Sequence, residues 1–355
     1  MKKKIWCMLL LLLVFTFCNC DEAKARERRY TDGDFQYSYD DDTGYIWIEG
    51  YLGDENEVVI PSEIQGTPVK YIYSIGYLHK KTITKVYIPE GIEYVAGFKE
   101  CESLQEVNIP SSVTEIGKDA FLCCKKLGSI QLPDGLITIG EAAFLKCDSL
   151  TQVTIPSSVK TIGICAFQEC KLLEQVNLSY GLEKIRESAF YGCASIKKIS
   201  IPDSVTKIDE GAFQKCKKLE TIKLSNNMTT IHESTFQNCS NLKNVKFPKK
   251  LKSIKSCAFY GTGFEKVTIP KTVNKINFRA FACCKNLKKI TFKASKPGNV
   301  NKYAFEGIKK KAVFDVPNKS ILKYKKVLSE MGKNRGKPHA KNPDFSKTAN
   351  ARKIQ

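Results

Sequence analysis

The chain repeats itself with a period of 23 residues. A phenylalanine, preceded in most copies by alanine, recurs ten times. Its positions are Phe98, Phe121, Phe144, Phe167, Phe190, Phe213, Phe236, Phe259, Phe281 and Phe305. Seven of the nine intervals are 23 residues, one is 22 and the last is 24. Such a strict period predicts a solenoid, in which each unit buries its apolar side chains only against its neighbours.

Each unit carries the same apolar pattern, shown by the unit that begins at Cys147. There the stretch 153–155 alternates with period two and stops at Pro156, which predicts a short strand closed by a turn. Ile162 then points inward again. The next position, Gly163, is replaced by Arg, Asp, His, Lys or Asn in later units, so we expect a solvent-facing bend with no need for positive φ. Strands stacked about 4.8 Å apart would make ten units a rod of roughly 50 Å.

One column of the repeat is occupied by cysteine. Its members are Cys101, Cys124, Cys147, Cys170, Cys193, Cys216, Cys239 and Cys284, and Thr262 fills the slot once. A disulfide needs two Cβ atoms turned toward each other at about 3.8 Å, whereas equivalent side chains in stacked coils lie parallel. We therefore favour buried free thiols that pack as small hydrophobes. Disulfides and a metal site remain as alternatives, although the C-x₂-C spacing of zinc sites is missing.

The segment from Cys147 to Phe167, CDSLTQVTIPSSVKTIGICAF, closely resembles the BspA-type leucine-rich repeat family. The resemblance covers roughly residues 58 to 331. We expect an α/β-type solenoid dominated by short parallel β-strands, a leucine-rich repeat rod of about ten 23-residue units. The resemblance also implies a curved rod displayed at the microbial surface or secreted, where members of the family act in adhesion to host proteins or other extracellular binding.

The first 25 residues are typical of a signal peptide, with a basic start, an apolar run from Ile5 to Phe17 and a cleavage site at Ala23–Ala25. A lipid anchor at Cys18 or Cys20 is the less favoured alternative, since the residues before each cysteine are not small. Cleavage removes four basic and two acidic residues and lowers the formal net charge from +20 to +18. No later run reaches the roughly 20 apolar residues of a membrane span, so we expect a secreted or cell-surface protein.

A solenoid needs covers on its two ends. Residues 26–57 are predicted to form an N-terminal β-hairpin cap, with Asp40–Gly44 as a turn rather than a calcium loop. The repeat array follows as residues 58–308. Residues 309–332 form the predicted C-terminal cap, with a helix from Lys319 to Met331 capped by Asn318 and ended by Gly332. The residues after that, 333–355, contain seven basic residues and one acidic residue, which is typical of a disordered tail.

No arrangement of catalytic residues is recognisable in the sequence. The only histidines, His79, His232 and His339, fall in an early unit, a mid-array bend and the tail. A nucleophilic cysteine would need a base beside it, and no position in the cysteine column supplies one. We also find no glycine-rich phosphate loop. The chain is therefore predicted to be no enzyme and to have no catalytic, cofactor-binding or metal-binding residues.

Two outward columns of the predicted strands become rich in lysine toward the C-terminus. The residues of interest are Gln175, Lys198 and Lys266 in one column and Asn177, Lys223 and Lys246 in the other. Repeat proteins recognise ligands through such extended faces, so these six residues are the predicted ligand-binding face for an extracellular protein or glycan. Exposed lysines also keep a sheet soluble and discourage edge pairing, and this alternative stays open.

The high positive charge supports a second hypothesis. A structural component of an anionic cell envelope could be held there by net charge and by the tail at 333–355. Nucleic acid is not favoured as a partner, and no cofactor is expected.

Overall fold

The computed structural model describes residues 29–75 and 81–333. The predicted signal peptide at 1–25 and the tail beyond residue 333 lie outside the described residues. The chain forms a β-solenoid of about 12 turns, with its helical residues at the C-terminal end. The predicted solenoid of short parallel strands is thus confirmed. No helix among the described residues is long and apolar enough to cross a membrane.

The described chain contains 26 short strands, one 3₁₀ turn and one helix. In chain order these are β1 (Tyr30–Asp32), β2 (Phe35–Asp40), β3 (Tyr45–Tyr51), β4 (Glu57–Val59), β5 (Glu63–Ile64), β6 (Thr67–Ile72), β7 (Lys85–Tyr87), β8 (Tyr94–Val95), β9 (Glu106–Val107), β10 (Glu115–Ile116), β11 (Thr138–Ile139), β12 (Gln152–Ile155), β13 (Thr161–Ile162), β14 (Gln175–Leu178), β15 (Lys184–Ile185), β16 (Lys198–Ser200), β17 (Lys207–Ile208), β18 (Thr221–Lys223), β19 (Thr230–Ile231), β20 (Asn244–Lys246), β21 (Ser253–Ile254), β22 (Lys266–Ile269), β23 (Lys275–Ile276), β24 (Lys289–Phe292), β25 (Asn299–Val300), β26 (Val313–Asp315), the 3₁₀ turn Asn318–Ser320 and α1 (Ile321–Lys333).

Most coils contribute one strand to each of two ladders. The first ladder is divided into the sheets β4-β7-β9, β12-β14, β16-β18-β20 and β22-β24-β26. The second runs from β1 to β17 through β2, β3, β6, β8, β10, β11, β13 and β15, and then resumes as β19-β21-β23-β25. In the middle of the rod, from β10 to β21, parallel neighbours keep the 23-residue register, as in Val153 opposite Val176. The second ladder was not predicted, because its strands are mostly two residues long.

The bend after each second-ladder strand is tighter than expected. Gly117, Gly140 and Gly163 do not have positive φ, as predicted. A Cβ on Gly140 would nevertheless lie 2.6 Å from the carbonyl carbon of Gly117, and one on Gly163 would lie 2.3 Å from the Gly140 oxygen. The predicted absence of positive φ is therefore confirmed. Glycine is favoured at Gly140 and Gly163 for another reason, the close approach of the neighbouring backbone.

The arc between this bend and the cysteine reverses the direction of the backbone hydrogen bonds. At the end of the second strand, the Gly117 N–H donates to the Val95 oxygen of the preceding coil at 2.8 Å. The N–H groups of Asp119, Phe121 and Cys123 instead donate to the following coil at 2.7–2.9 Å. Asp119 and Cys123 have φ of 55° and 61°, in the left-handed region. Residues with left-handed φ change the direction in which the backbone N–H groups point. Each coil therefore forms backbone hydrogen bonds with both the preceding and the following coil.

The repeated phenylalanines form a continuous stack through the core. Neighbouring rings from Phe98 to Phe305 lie 5.1–5.7 Å apart at interplanar angles of 3–13°. All ten side chains are almost completely buried. Ring pairs at these separations add stability beyond their buried area, so the stack couples each coil to the next.

Different structures close the two ends. The predicted hairpin is present, because β2 and β3 pair antiparallel and Asp40 accepts hydrogen bonds from the backbone of Asp42 and Thr43 in the turn. At the other end, α1 buries Tyr324, whose hydroxyl donates to the Ala294 oxygen at 3.0 Å. The predicted Asn318 cap is wrong, since no side chain caps the 3₁₀ turn, and the helix continues past Gly332 to residue 333.

Candidate ligand-binding face

The six residues predicted to contact a ligand all lie on the first ladder and are exposed. Within this ladder, buried and exposed positions alternate, as in the exposed, buried, exposed pattern of β16 and β18. Successive side chains of a strand point to opposite faces, so the intervening isoleucines fill the core while the polar residues face solvent. We call the exposed side of the first ladder the strand face.

Strand pairing determines which of the six residues are neighbours. Lys223 of β18 lies opposite Lys246 of β20 in register. Gln175 and Asn177 of β14 face β12, where the Asn177 side-chain amide donates to the Thr154 hydroxyl at 3.2 Å. Lys266 lies in the last of the four sheets, opposite Lys289. The predicted face therefore spans three separate sheets.

A shallow depression of about 540 Å³ brings three of the six residues together. It lies where the ladder divides between β14 and β16, and its lining includes Asn177, Lys198 and Lys223. Ser200 and Thr221 also line it and add hydroxyl groups. The depression thus combines two cations with neutral hydrogen-bonding groups, which suits a ligand with both acidic and hydroxyl groups.

The lysines of the face differ in whether they have a carboxylate partner. Lys289, which sequence reasoning did not single out, lies 2.6 Å from an Asp315 oxygen. Among the described residues, no carboxylate lies within ion-pair distance of Lys198, Lys223, Lys246 or Lys266, a set that we call the lysine row. Like charges that face each other across strands are unfavourable, as at Lys223 and Lys246. Lys223 and Lys266 are close enough to Asp203 and Glu265 to interact electrostatically. No member of the lysine row forms an ion pair within the described chain, however, so the row keeps a positive charge that suits an anionic ligand.

Sequence reasoning missed a second depression, of about 770 Å³, at the other end of the strand face. It lies near the division between β9 and β12 and is lined in part by Tyr87, Glu90 and Glu106. Val59 and Tyr87 are neighbours in register and are 66% and 55% exposed. The strand that carries Tyr87 could have been predicted, because residues 86–89, Val-Tyr-Ile-Pro, match the strand pattern of later units.

The cysteine column lies in the core beside the phenylalanine stack. All eight predicted members are buried and free in the structure. Cys124, Cys147, Cys170, Cys193, Cys216 and Cys239 donate from Sγ to the carbonyl oxygens of Phe98, Phe121, Phe144, Phe167, Phe190 and Phe213 at 3.0–3.2 Å. Cys284 donates to Phe259, and the Thr262 hydroxyl shares that acceptor. Each of these seven thiols therefore joins one coil to the coil before it.

Burial makes the thiols of the column hard to ionise. It raises the pKa of Cys101 and of Cys284 to about 12. The pKa values of Cys124 and Cys147 are also raised well above their usual range by burial. Because the thiolate is the reactive form, these positions suit structural thiols. Their oxidation state stays a prediction.

Of the three histidines, only His232 lies among the described residues. It is half-buried, and burial together with the nearby Lys207 lowers its pKa. Between residues 29 and 333, apart from the undescribed 76–80, no group of three or more His, Cys, Asp or Glu side chains is placed to hold a metal ion.

Comparisons with known proteins agree with the repeat pattern. A family model described as "BspA type Leucine rich repeat region" matches in six copies, over residues 70–173, 94–220, 137–262 and 207–326. Among solved structures, a leucine-rich repeat protein from Bacteroides ovatus superposes with a TM-score of 0.67 at 26% identity, over 81% of this chain and 78% of its own. No curated protein gives a significant match.

Two further solved structures match less closely. A leucine-rich cell surface protein from Faecalibacterium prausnitzii has a TM-score of 0.44 at 25% identity, over 75% of this chain and 95% of its own. A leucine-rich repeat protein from T. pallidum has a TM-score of 0.49 at 30% identity, over 54% of this chain and 91% of its own.

Proposed function

Because the chain belongs to the BspA-type leucine-rich repeat family, we propose that it is an exported, non-enzymatic protein that binds an extracellular protein or glycan through its strand face. Export rests on the signal-peptide pattern of residues 1–25. The observation that carries the binding proposal is the lysine row, four exposed cations that form no ion pair with a carboxylate among the described residues.

The spacing of the lysine row favours a linear acidic ligand. Its members, Lys198, Lys223, Lys246 and Lys266, come from four consecutive coils. Lys223 and Lys246 are register partners on adjacent strands about 4.8 Å apart, whereas Lys198 and Lys266 lie in the neighbouring column, two residues away along the strand. A glycan or peptide lying along the rod could therefore place carboxylate or sulfate groups against several lysines at once. Each exposed contact contributes little by itself, on the order of 0.2–1 kcal/mol. Binding would come from several such contacts together with the polar groups of the depression.

The test compares two variants with the same loss of charge. In the first, the lysine row is replaced by glutamine. In the matched control, four exposed lysines of the same half but outside the strand face are replaced by glutamine: Lys217, Lys218, Lys252 and Lys275. Binding of residues 26–355 to extracellular-matrix proteins, mucins and acidic polysaccharides is measured from low to high salt. We expect the first variant to lose about ten-fold in affinity, while the control stays within about two-fold.

Equal losses in the two variants would contradict the proposal and favour the second hypothesis, a polyanion-binding envelope component. That hypothesis has its own support, since residues 171–333 hold 34 basic and 12 acidic residues. It predicts binding to every polyanion with a steep salt dependence, and release from the envelope when residues 334–355 are deleted. The strand-face proposal predicts that this deletion leaves selective binding unchanged.

A further inference from the structure

The two ends of the rod carry opposite charges. Residues 29–66, the N-terminal end, hold ten acidic residues and one basic residue, a net charge of −9. Residues 285–333, the C-terminal end, hold fourteen lysines and three acidic residues, a net charge of +11. Two of those three acidic side chains are already paired, Glu306 with Arg279 and Asp315 with Lys289. Internal ion pairs therefore leave most of the charge at each end unneutralised.

Much of this charge is exposed. Asp41 and Asp42 at the tip of the β2–β3 hairpin face solvent, as does Asp32 in the terminal strand β1. At the opposite end, the three consecutive lysines 309–311 are exposed beside the last strand. In α1, Lys323 and Lys325 come directly before and after the buried Tyr324 and are exposed. Both ends therefore offer charges that another molecule can reach.

Apolar side chains are exposed near the same charges. Tyr30 in β1 is 44% exposed and Leu52, just after β3, is 42% exposed. In α1, Leu322 is 82% exposed, the highest value among the large apolar residues of the described chain. Leu322 is thus exposed at the lysine-rich end, and Tyr30 and Leu52 are exposed at the end rich in carboxylates. The two ends are complementary in charge, and both offer apolar surface that contact would bury.

The charges at the two ends cannot neutralise each other within one molecule. Thirteen strand spacings separate β1 from β25 along the second ladder, or roughly 60 Å at about 4.8 Å each. Electrostatic interactions are screened beyond about 8 Å at physiological ionic strength. Two copies of the chain both have a net positive charge and repel each other. The same screening means that only charges near the surfaces in contact contribute to this repulsion. Contact between unlike ends is thus attractive even though the whole chains repel.

We propose that copies of this protein associate end to end, with the acidic N-terminal end of one copy against the basic C-terminal end of the next. This contact is heterologous, so it leaves one end free at each step and builds chains whose length grows with concentration. The first ladder lies along the side of the rod, and the strand face stays open in such a chain. The inference therefore does not depend on the proposed ligand.

Sedimentation velocity of residues 26–355 tests the proposal. We expect the weight-average sedimentation coefficient to rise with protein concentration at physiological salt and to fall to that of the monomer at high salt. An acidic-end variant carries lysine at Asp32, Asp41 and Asp42, and a basic-end variant carries glutamate at Lys309, Lys310 and Lys311. The substitutions reduce the net charge of the N-terminal end from −9 to −3 in the first variant and that of the C-terminal end from +11 to +5 in the second. Each variant alone therefore has one end of much weaker charge and should associate at least ten-fold more weakly. An equimolar mixture should regain association as pairs, because the intact C-terminal end of the acidic-end variant can contact the intact N-terminal end of the basic-end variant.

A control variant carries glutamate at three exposed lysines between the ends, Lys160, Lys217 and Lys218, and should associate like the unmodified chain. Recovery in the mixture also shows that both end variants are folded. The proposal is overturned if either end variant associates as well as the unmodified chain, or if the mixture stays monomeric. It is also overturned if deletion of residues 334–355 abolishes association, since the tail and not the C-terminal end would then be the partner of the acidic end.

Discussion

Replacing Ala142 and Ala143 separately by glycine isolates the energy of the left-handed arc. Ala142 has φ of 53°, whereas Ala143 is outside the left-handed region, and both methyl groups are buried. A Cβ in left-handed geometry costs about 1–2 kcal/mol, which Ala142→Gly would recover. Glycine costs roughly 0.5–1 kcal/mol in backbone entropy, and the lost methyl group about 0.8 kcal/mol. These contributions nearly cancel at Ala142, whereas at Ala143 only the two losses remain.

We therefore expect Ala142→Gly to change the free energy of unfolding by less than about 1 kcal/mol and Ala143→Gly to lower it by about 1.5 kcal/mol. Urea unfolding followed by circular dichroism, with the midpoints compared at equal slope, measures both. The two sites are adjacent in one coil, so local fraying affects them equally. Equal penalties at the two sites would refute the argument that the arc stores left-handed strain. Gly211, which occupies the same column, is consistent with it.

Three further outcomes follow from the core. Gly163→Ala should lower the urea midpoint strongly, because its Cβ would lie 2.3 Å from a backbone oxygen, whereas Gly128→Ala, with no atom within 4 Å, should be tolerated. The free energy of unfolding should fall as the pH rises from 9 toward 12. The reason is that thiols of the unfolded chain ionise at the ordinary pKa of 9.0, whereas burial raises the pKa of Cys101 to about 12. Circular dichroism against pH measures this fall, which Cys101→Ala should reduce. Phe190→Leu should cost about 1–3 kcal/mol in urea unfolding, because it removes two ring contacts.

The parts of the fold that could be predicted from sequence are those that depend on buried apolar side chains. The phenylalanine stack and the strand of the first ladder recur at fixed positions, because a column of identical packing needs identical residues. The hairpin was predictable for the same reason, since Tyr37 and Ile48 pair across it and are both buried. In these elements, the type of residue at each buried position is enough to identify the local structure.

The left-handed arc could not be predicted, because its residues do not share a chemical type. The column that contains Asp119 and Ala142 also contains Cys165, Ser188 and Arg279, all with φ of 52–55°. Glycine would have signalled this geometry, but hydrogen bonds to the following coil hold ordinary residues in it instead. The second ladder escaped prediction because a two-residue strand such as β13 is too short to show a period.

The exposure of the candidate site could be predicted from sequence, but its shape could not. The strand register gave the exposure of the lysine row correctly, because alternation within a strand needs only the position of the buried residues. The depression beside Lys198 could not be predicted, because it lies where the first ladder divides, and nothing in the sequence of β14 or β16 marks that division. Whether these residues bind a ligand stays a prediction.

The charge distribution is independent of the packing that builds the rod. Each coil from Phe98 to Phe305 stacks the same ring on the same neighbour, yet the net charge changes from −9 at the N-terminal end to +11 at the C-terminal end. Solubility alone would be served by mixed charges spread evenly over all coils. Separation of the charges by roughly 60 Å leaves each end able to attract an opposite charge that its own molecule cannot supply. Since the same phenylalanine stack runs through the interior, the charge of a coil follows from its position along the rod rather than from its fold.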